Sequence, residues 1–291
     1  MFKNFKYKRR LLKEAIKLVF RRDNKVHTHK AIWLDYPINP VPRYGYGHEP
    51  HKRITHLLSE NKHKYRSILK EMLSFQNDLG NISQDKINET SPSWNNGYFP
   101  GLDALALYCI ISLMKPTHYF EIGSGNSTKF ARQAINDHNL STDIICIDPK
   151  PRDKIESIAD RVIYSTLESV DINIFDNLNT NDILFIDGSH RCFMNSDVTT
   201  VFLDILPELK SGVLIHFHDI LLPLDYDPKL IDSFYNEQYL LAVLLLSTPK
   251  PDIVFPSFFV HMDPELMNIL DPIIKKFPNA GFHGSSFWIR K

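Results

Sequence analysis

The sequence has no excess of charge of either sign. Its 34 Lys and Arg residues are matched by 34 Asp and Glu, so the overall balance points neither to nucleic acid nor to an acidic partner. Cysteine is scarce, three in 291 residues. Cys109, Cys146 and Cys192 are odd in number and widely spaced, and the first two sit in apolar strings. That pattern argues against a zinc site and reads as buried thiols in a reducing, cytoplasmic compartment. No apolar run approaches the ~18 residues of a membrane span. The stretch "LLKEAIKLVF" behind the basic start is interrupted by Lys13, Glu14 and Lys17, so it is not expected to act as a secretory signal. There is no internal repeat either.

What is present is unevenly distributed. Residues 1–30 hold eleven Lys or Arg against Glu14 and Asp23, so everything after them is net acidic. Leu11, Leu12, Ala15, Ile16, Val19 and Phe20 recur at helical spacing, which predicts a basic amphipathic helix. Such a helix either lies on an anionic membrane surface or packs on its own domain or a second copy of the chain. "YPINPVPRYGYGHEP" at 36–50 and "NETSPSWNNGYFPG" at 88–101 are irregular by composition, with a polar helix expected over Ile54 to Phe75 between them.

From Leu102 the texture alternates. "LDALALYCIISLM" reads as a helix, "HYFEI" as a strand, "STKFARQAIND" as a helix and "DIICI" as a strand. "RVIY", "DILFI" and "GVLIHF" follow as short apolar strands, with "SDVTTVFLDILPEL" as a helix between the last two. Strands apolar on both faces and separated by helices make a parallel sheet covered on both sides. The fold class expected is α/β, a Rossmann-like doubly wound sheet of seven strands, the last antiparallel and formed by "SSFWIR". The expected division is a basic, helical and irregular N-terminal extension over 1–93 and the sheet domain over 94–291, one core with an addition.

In such sheets ligands sit beyond the carboxyl ends of the strands. Gly123 and Gly125 fall at the end of the first strand, where a backbone must pass close to a ligand. A dinucleotide fingerprint needs a third glycine where Thr128 stands, and the Gly-Lys-Ser/Thr ending of a phosphate loop is missing. Glu121 precedes the turn instead, and a carboxylate there repels a pyrophosphate and attracts a cation such as the amino group of a methionine moiety. Asp148 ends the next strand in "CIDPKP", where a carboxylate takes both hydroxyls of a ribose. Together these describe a nucleoside that bears a cation.

"FEIGSGNSTKFA", "IDPKPR", "DILFIDGSH" and "IHFHDI", in that order, resemble the successive motifs of class I S-adenosylmethionine-dependent methyltransferases, in particular the bacterial branch found with polysaccharide biosynthesis. The resemblance runs from about Trp94 to Arg290 and takes in "NEQYLL" and "GSSFWIR". It implies S-adenosyl-L-methionine as cofactor, held by Glu121, Gly123, Ser124, Gly125, Ser127, Asp148 and Asp187. It also implies O-methylation of a sugar hydroxyl on a surface polysaccharide or glycan precursor, a substrate that the basic segment 1–30 could approach at the inner face of a membrane.

A methyl acceptor usually needs its proton removed. "FIDGSH" and "HFHD" end successive strands, which brings Asp187, His190, His218 and Asp219 toward one edge of the sheet. Asp187, His218 and Asp219 could hold a divalent ion that acidifies a hydroxyl. Metal-dependent methyltransferases of the catechol type resemble this arrangement, but His218 replaces a usual carboxylate and His190 a lysine, which leaves magnesium, manganese or no metal open. Without metal, His190 or His218 is a general base, and Asp187, His190 and His218 form the catalytic set. His216 shares a strand face with His218, and one of the two can be a plain core histidine. Tyr226, Tyr235, Glu237 and Gln238 are candidates to line an acceptor pocket, and Trp94, Tyr98 and Phe99 to close over the donor. Two other functions remain at this level: a dinucleotide-dependent oxidoreductase, and a non-catalytic nucleoside-binding or scaffold protein. The aromatic-rich N-terminal arm suggests a homo-oligomer.

Overall fold

The computed structural model describes residues 40–291; the basic helix expected within residues 1–30 lies outside the described residues. Seven strands form one sheet: β1 (His118–Ile122), β2 (Asp143–Ile147), β3 (Arg161–Ile163), β4 (Ile183–Ile186), β5 (Leu214–Phe217), β6 (Asp252–Pro256) and β7 (Phe287–Arg290). Their order is β3-β2-β1-β4-β5-β7-β6. The first five pair in parallel, and β7 runs antiparallel to both β5 and β6. All four residues of β4 and of β5 are buried, as the unbroken apolar strings required. Strand β6, "DIVFP", was not among the strands read from the pattern, because its apolar run is short and flanked by prolines.

The helices include α1 (Lys52–Ser59), α2 (Lys62–Ser74), α3 (Gly101–Met114) and α4 (Asn126–Asp137). The single polar helix expected over Ile54 to Phe75 is thus two, interrupted at Asn61, whose φ of −101° and ψ of 9° leave the helical region. Leu58 of α1 and Tyr65, Leu69 and Met72 of α2 are buried in the same core as the strands, and Val41–Lys291 form one compact unit. From residue 41 onward the segment expected as an extension is therefore packed with the sheet. Helix α3 is apolar nearly all round, and twelve of its residues are buried, as a helix enclosed on all sides must be. Its one acid, Asp103, is fully buried.

The chain leaves β1 toward β2 and β3 on one side and resumes at β4 and β5 on the other, so the strand order reverses between β1 and β4. This switch point opens a crevice at the carboxyl ends of the strands. Backbone pairing runs one residue past each strand: Gly123 donates to Ile147 O at 3.0 Å, Asp187 to Ile122 O at 2.8 Å and His218 to Ile186 O at 2.9 Å. Gly123, Asp187 and His218 are thereby held in a row along the floor of the crevice.

Candidate active site

The crevice has a volume of about 1000 Å3 and is lined by the turn Gly123–Ser127, by Asp148 and by Asp187, His190, His218, Asp219 and Tyr235. The turn needs glycine at one place for a clear reason. Gly123 has φ +78°, and a Cβ there would stand 2.0 Å from the carbonyl oxygen of Asp187. At Gly125 a Cβ would meet nothing within 4 Å among the described residues, so this backbone faces open crevice, a cradle that a side chain would fill. Asp148 lies across it. Its Oδ2 accepts from Ser124 N at 2.9 Å and Ser124 Oγ at 3.0 Å, and its Oδ1 accepts from Lys150 N at 2.7 Å. Oδ2 thus has both acceptor sites filled, while Oδ1 keeps one for a further donor in the crevice that Asp148 lines. These residues fit a nucleoside.

Glu121 does not do what its position suggested. It is fully buried, accepts hydrogen bonds from Ser127 Oγ and, at 2.7 Å, Thr128 Oγ1, and is absent from the crevice lining. Burial pushes its carboxyl up to about 8 against the pull of Ser127 and Thr128. Two residues before the glycine lies inside the strand rather than beyond its end, so Glu121 ties β1 to the start of α4 and offers no carboxylate to a cation. Ser127 serves this tie, although it also touches the crevice.

Four groups of alternating charge meet at the ends of β4 and β5. His190 Nε2 lies 3.2 Å from Asp187 and 3.5 Å from Asp219. His218 Nδ1 lies 3.6 Å from Asp187 and 3.5 Å from Asp219. Both imidazoles are buried, while Asp187 and Asp219 each keep 36% of their side-chain surface exposed. Behind each ring stands a second carboxylate. Glu237 Oε2 is 3.0 Å from His190 Nδ1, and Asp103 Oδ2 is 3.5 Å from His218 Nε2. Burial by itself lowers the affinity of an imidazole for its second proton, but Asp187, Asp103 and Asp219 hold His218 up to about 9. Asp187 and Glu237 likewise hold His190 well above its ordinary value despite burial. The surrounding carboxylates thus favour the protonated form of both rings. His190 and Asp219 also adopt left-handed backbone, with φ +58° and +53°, a conformation that costs about 1–2 kcal/mol for a residue with a Cβ and recurs at functional sites.

This electrostatic bias bears on two expectations. An imidazolium has no lone pair for a metal, and among the described residues no group of three or more His, Cys, Asp or Glu side chains is arranged to hold an ion. Asp187, His218 and Asp219 as they stand do not fit magnesium or manganese. The same carboxylates work against a free-base role for His190 and His218. His216 is the core histidine of its strand: it is fully buried, stacks on Phe185 at 3.8 Å between centroids and shares a 2.7 Å hydrogen bond with Ser286 Oγ.

Of the four residues proposed for the acceptor, only Tyr235 lines the crevice, its ring 4.7 Å from that of His190. Gln238 is turned inward, accepting from Leu221 N at 2.9 Å and donating to Leu224 O at 3.2 Å, while Tyr226 accepts from Gln238 N at 3.2 Å. Both brace the loop after β5. Glu237 is buried against His190. Trp94 packs on Phe130, Phe277 and Phe282 as a core residue, whereas Tyr98 and Phe99 line the crevice. Tyr98 carries Arg152 over its ring at 5.3 Å, and the ring of Phe99 lies 5.4 Å from that of His218. Sequence reading missed Asp103. Its signal was a lone acid in "GLDALALYCIISLM", since a carboxylate in a helix buried all round demands a charged or donating partner.

Residues 120–220 match the family model described as a methyltransferase domain. No curated protein matches the chain. Among solved structures, the chain is similar to that of an O-methyltransferase from Bacillus cereus in complex with SAH, at 17% identity over 77% of this chain and 91% of that chain, with a TM-score of 0.34. The matched stretch runs from β1 to the end of the HFHD segment and so supplies both the glycine turn and the charged cluster. The sheet order, the domain match and a crevice shaped for a nucleoside support an S-adenosylmethionine-dependent methyltransferase with a Rossmann-like fold.

Proposed function

We propose that the chain transfers a methyl group from S-adenosyl-L-methionine to a hydroxyl of a sugar, in a surface polysaccharide or a glycan precursor. The observation that carries this reading is Asp187, a half-open carboxylate clamped between His190 and His218 and facing the same crevice as Gly125 and Asp148. S-adenosylmethionine, when bound, supplies an electrophilic methyl on a sulfonium sulfur. Ser124 and Gly125 would lie along it, Asp148 would accept from a ribose hydroxyl, and Phe99 and Tyr98 would close the donor end.

The acceptor hydroxyl donates its hydrogen bond to Asp187. As its oxygen takes the methyl group the attached proton becomes strongly acidic, so even a carboxylate held well below its usual range by His218 and His190, against the opposing effect of burial, receives it. His190 and His218 fix the direction of the Asp187 and Asp219 oxygens rather than acting as bases. Alignment of two bound reactants supplies most of the acceleration. Tyr235 offers an aromatic face to a sugar ring beside this pair. The basic segment 1–30 brings the chain to the anionic inner face of a membrane, where a lipid-linked acceptor resides, and no helix among the described residues is long and apolar enough to cross one.

The test is Asp187→Asn with methyl glycosides as acceptors and S-adenosylhomocysteine as ligand. Affinity for S-adenosylhomocysteine is expected to stay within about threefold while turnover falls by about 10²–10⁴, the range of a lost proton acceptor. A purified variant with wild-type turnover would sink the assignment. Binding of NAD without binding of S-adenosylhomocysteine would replace the reading with an oxidoreductase.

A further inference from the structure

Glu237 is at odds with its surroundings. It is 1% exposed, and one of its carboxyl oxygens, Oε1, has no hydrogen-bond partner among the described residues. The other oxygen has one side-chain partner, Nδ1 of His190, at 3.0 Å. A buried carboxyl with one oxygen unsatisfied carries a desolvation cost that its pairing with His190 has to offset. The helix that begins at this residue, α5 (Glu237–Leu246), grips His190 a second time. The amides of Asn236 and Glu237 both donate to the carbonyl oxygen of His190, at 2.9 and 3.2 Å. Asn236 Oδ1 also accepts from Cys192 N at 2.6 Å. One helix start thus fixes the backbone of His190 in its left-handed conformation and fixes its ring, leaving Nε2 directed at Asp187 and Asp219. Glu237 is itself outside the crevice.

We infer that Glu237 is a positioning residue: through the ring of His190 it sets the direction in which Asp187 and Asp219 present their oxygens to the acceptor. The inference rests on the methyltransferase reading for what the carboxylates then do, but the Glu237–His190 contact can be tested by itself. Orientation by a carboxylate on the far nitrogen is a general way to lock a working imidazole. The segment "NEQYLL" therefore contributes to the centre from beyond the stretch matched by the methyltransferase-domain model.

The test uses the full chain with Glu237→Gln and Glu237→Leu. Gln keeps an oxygen able to accept from Nδ1, and Leu does not. In proton NMR spectra a slowly exchanging imidazole N–H of His190, identified by its loss in His190→Gln, is expected in the wild type and in Glu237→Gln and absent in Glu237→Leu. Affinity for S-adenosylhomocysteine is expected within about twofold in all three, and Glu237→Leu is expected to stay folded but melt lower than the wild type, because it takes a carboxylate from a buried imidazole that it holds protonated. On a methyl glycoside that the wild type turns over, kcat of Glu237→Leu falls at least about tenfold at unchanged KM, and Gln restores most of it. Persistence of the resonance in the Leu variant, its absence from the wild type, or loss of S-adenosylhomocysteine affinity and melting temperature together overturns the proposal. A wild type that shows the resonance but binds no S-adenosylhomocysteine would strike the methyltransferase reading and leave the pairing intact.

Discussion

Replacing Gly123 by Ala tests the junction on which the crevice is built. The residue holds φ +78°, and a Cβ would be placed 2.0 Å from Asp187 O and 3.0 Å from its carbonyl carbon. Neither atom can swing aside, because both are backbone and Asp187 N is bonded to Ile122 O. Left-handed backbone costs about 1–2 kcal/mol for alanine, and forcing β1 and β4 apart adds about 1–3 kcal/mol, as overpacking does elsewhere. A loss of about 2–5 kcal/mol lowers the melting temperature by roughly 5–15 °C in a domain of this size. Asp187 moves with its carbonyl, so affinity for S-adenosylhomocysteine should fall as well. Gly125→Ala is the matched control, since its Cβ meets nothing within 4 Å among the described residues. Its melting temperature should stay within about 3 °C, a change of no more than ~1 kcal/mol, while calorimetry shows S-adenosylhomocysteine binding at least about tenfold weaker. Equal destabilisation by both substitutions, or a Gly123→Ala protein as stable as the wild type, would refute the geometry.

Asp148→Ala removes the acceptor of Ser124 and Lys150 and, in the proposed function, of the ribose. Hydrogen bonds to a charged group contribute about 1.5–3 kcal/mol, so the dissociation constant for S-adenosylhomocysteine should rise about 10- to 100-fold by titration calorimetry, and an unchanged constant would place the ribose elsewhere. Alkaline pH should loosen the centre. His218 is raised from 6.5 to about 9, so its contribution to stability is fully present below about pH 6.5 and is lost as pH rises through 9. Glu121, raised from 4.5 to about 8, acts in the same direction between those values, because the folded state binds the extra proton. Thermal unfolding followed from pH 6.5 to 9.5 should show a falling midpoint, and a midpoint that rises over that range would contradict the charge assignment. Because His190 and His218 neutralise Asp187 and Asp219, a chelator should leave S-adenosylhomocysteine affinity unchanged and manganese should not raise the melting temperature. A saturable manganese-dependent rise would show that the imidazoles release their protons to a metal.

The sequence alone was enough for the parallel strands, their order of appearance, the glycine turn and the two strand ends that carry Asp187, His190, His218 and Asp219. Apolar runs and a turn glycine are local signals, and a doubly wound sheet brings strand ends together whatever the details of packing. Tertiary structure decided the roles. Whether an acid faces the crevice or the core depends on where it falls along the strand: Glu121, level with Cys146, lies inside β1 and is enclosed, while Asp148, two residues further along in register, lies past the end of β2 and is open. Whether a histidine is a base, a metal ligand or a cation depends on the carboxylates behind it. Those come from far along the chain: Asp103 lies on the helix before β1 and Glu237 on the helix after β5, both fully enclosed, each within 3.5 Å of a ring that no local pattern connects to it. Electrostatic state is a sum over neighbours in space, and the fold alone supplies those neighbours.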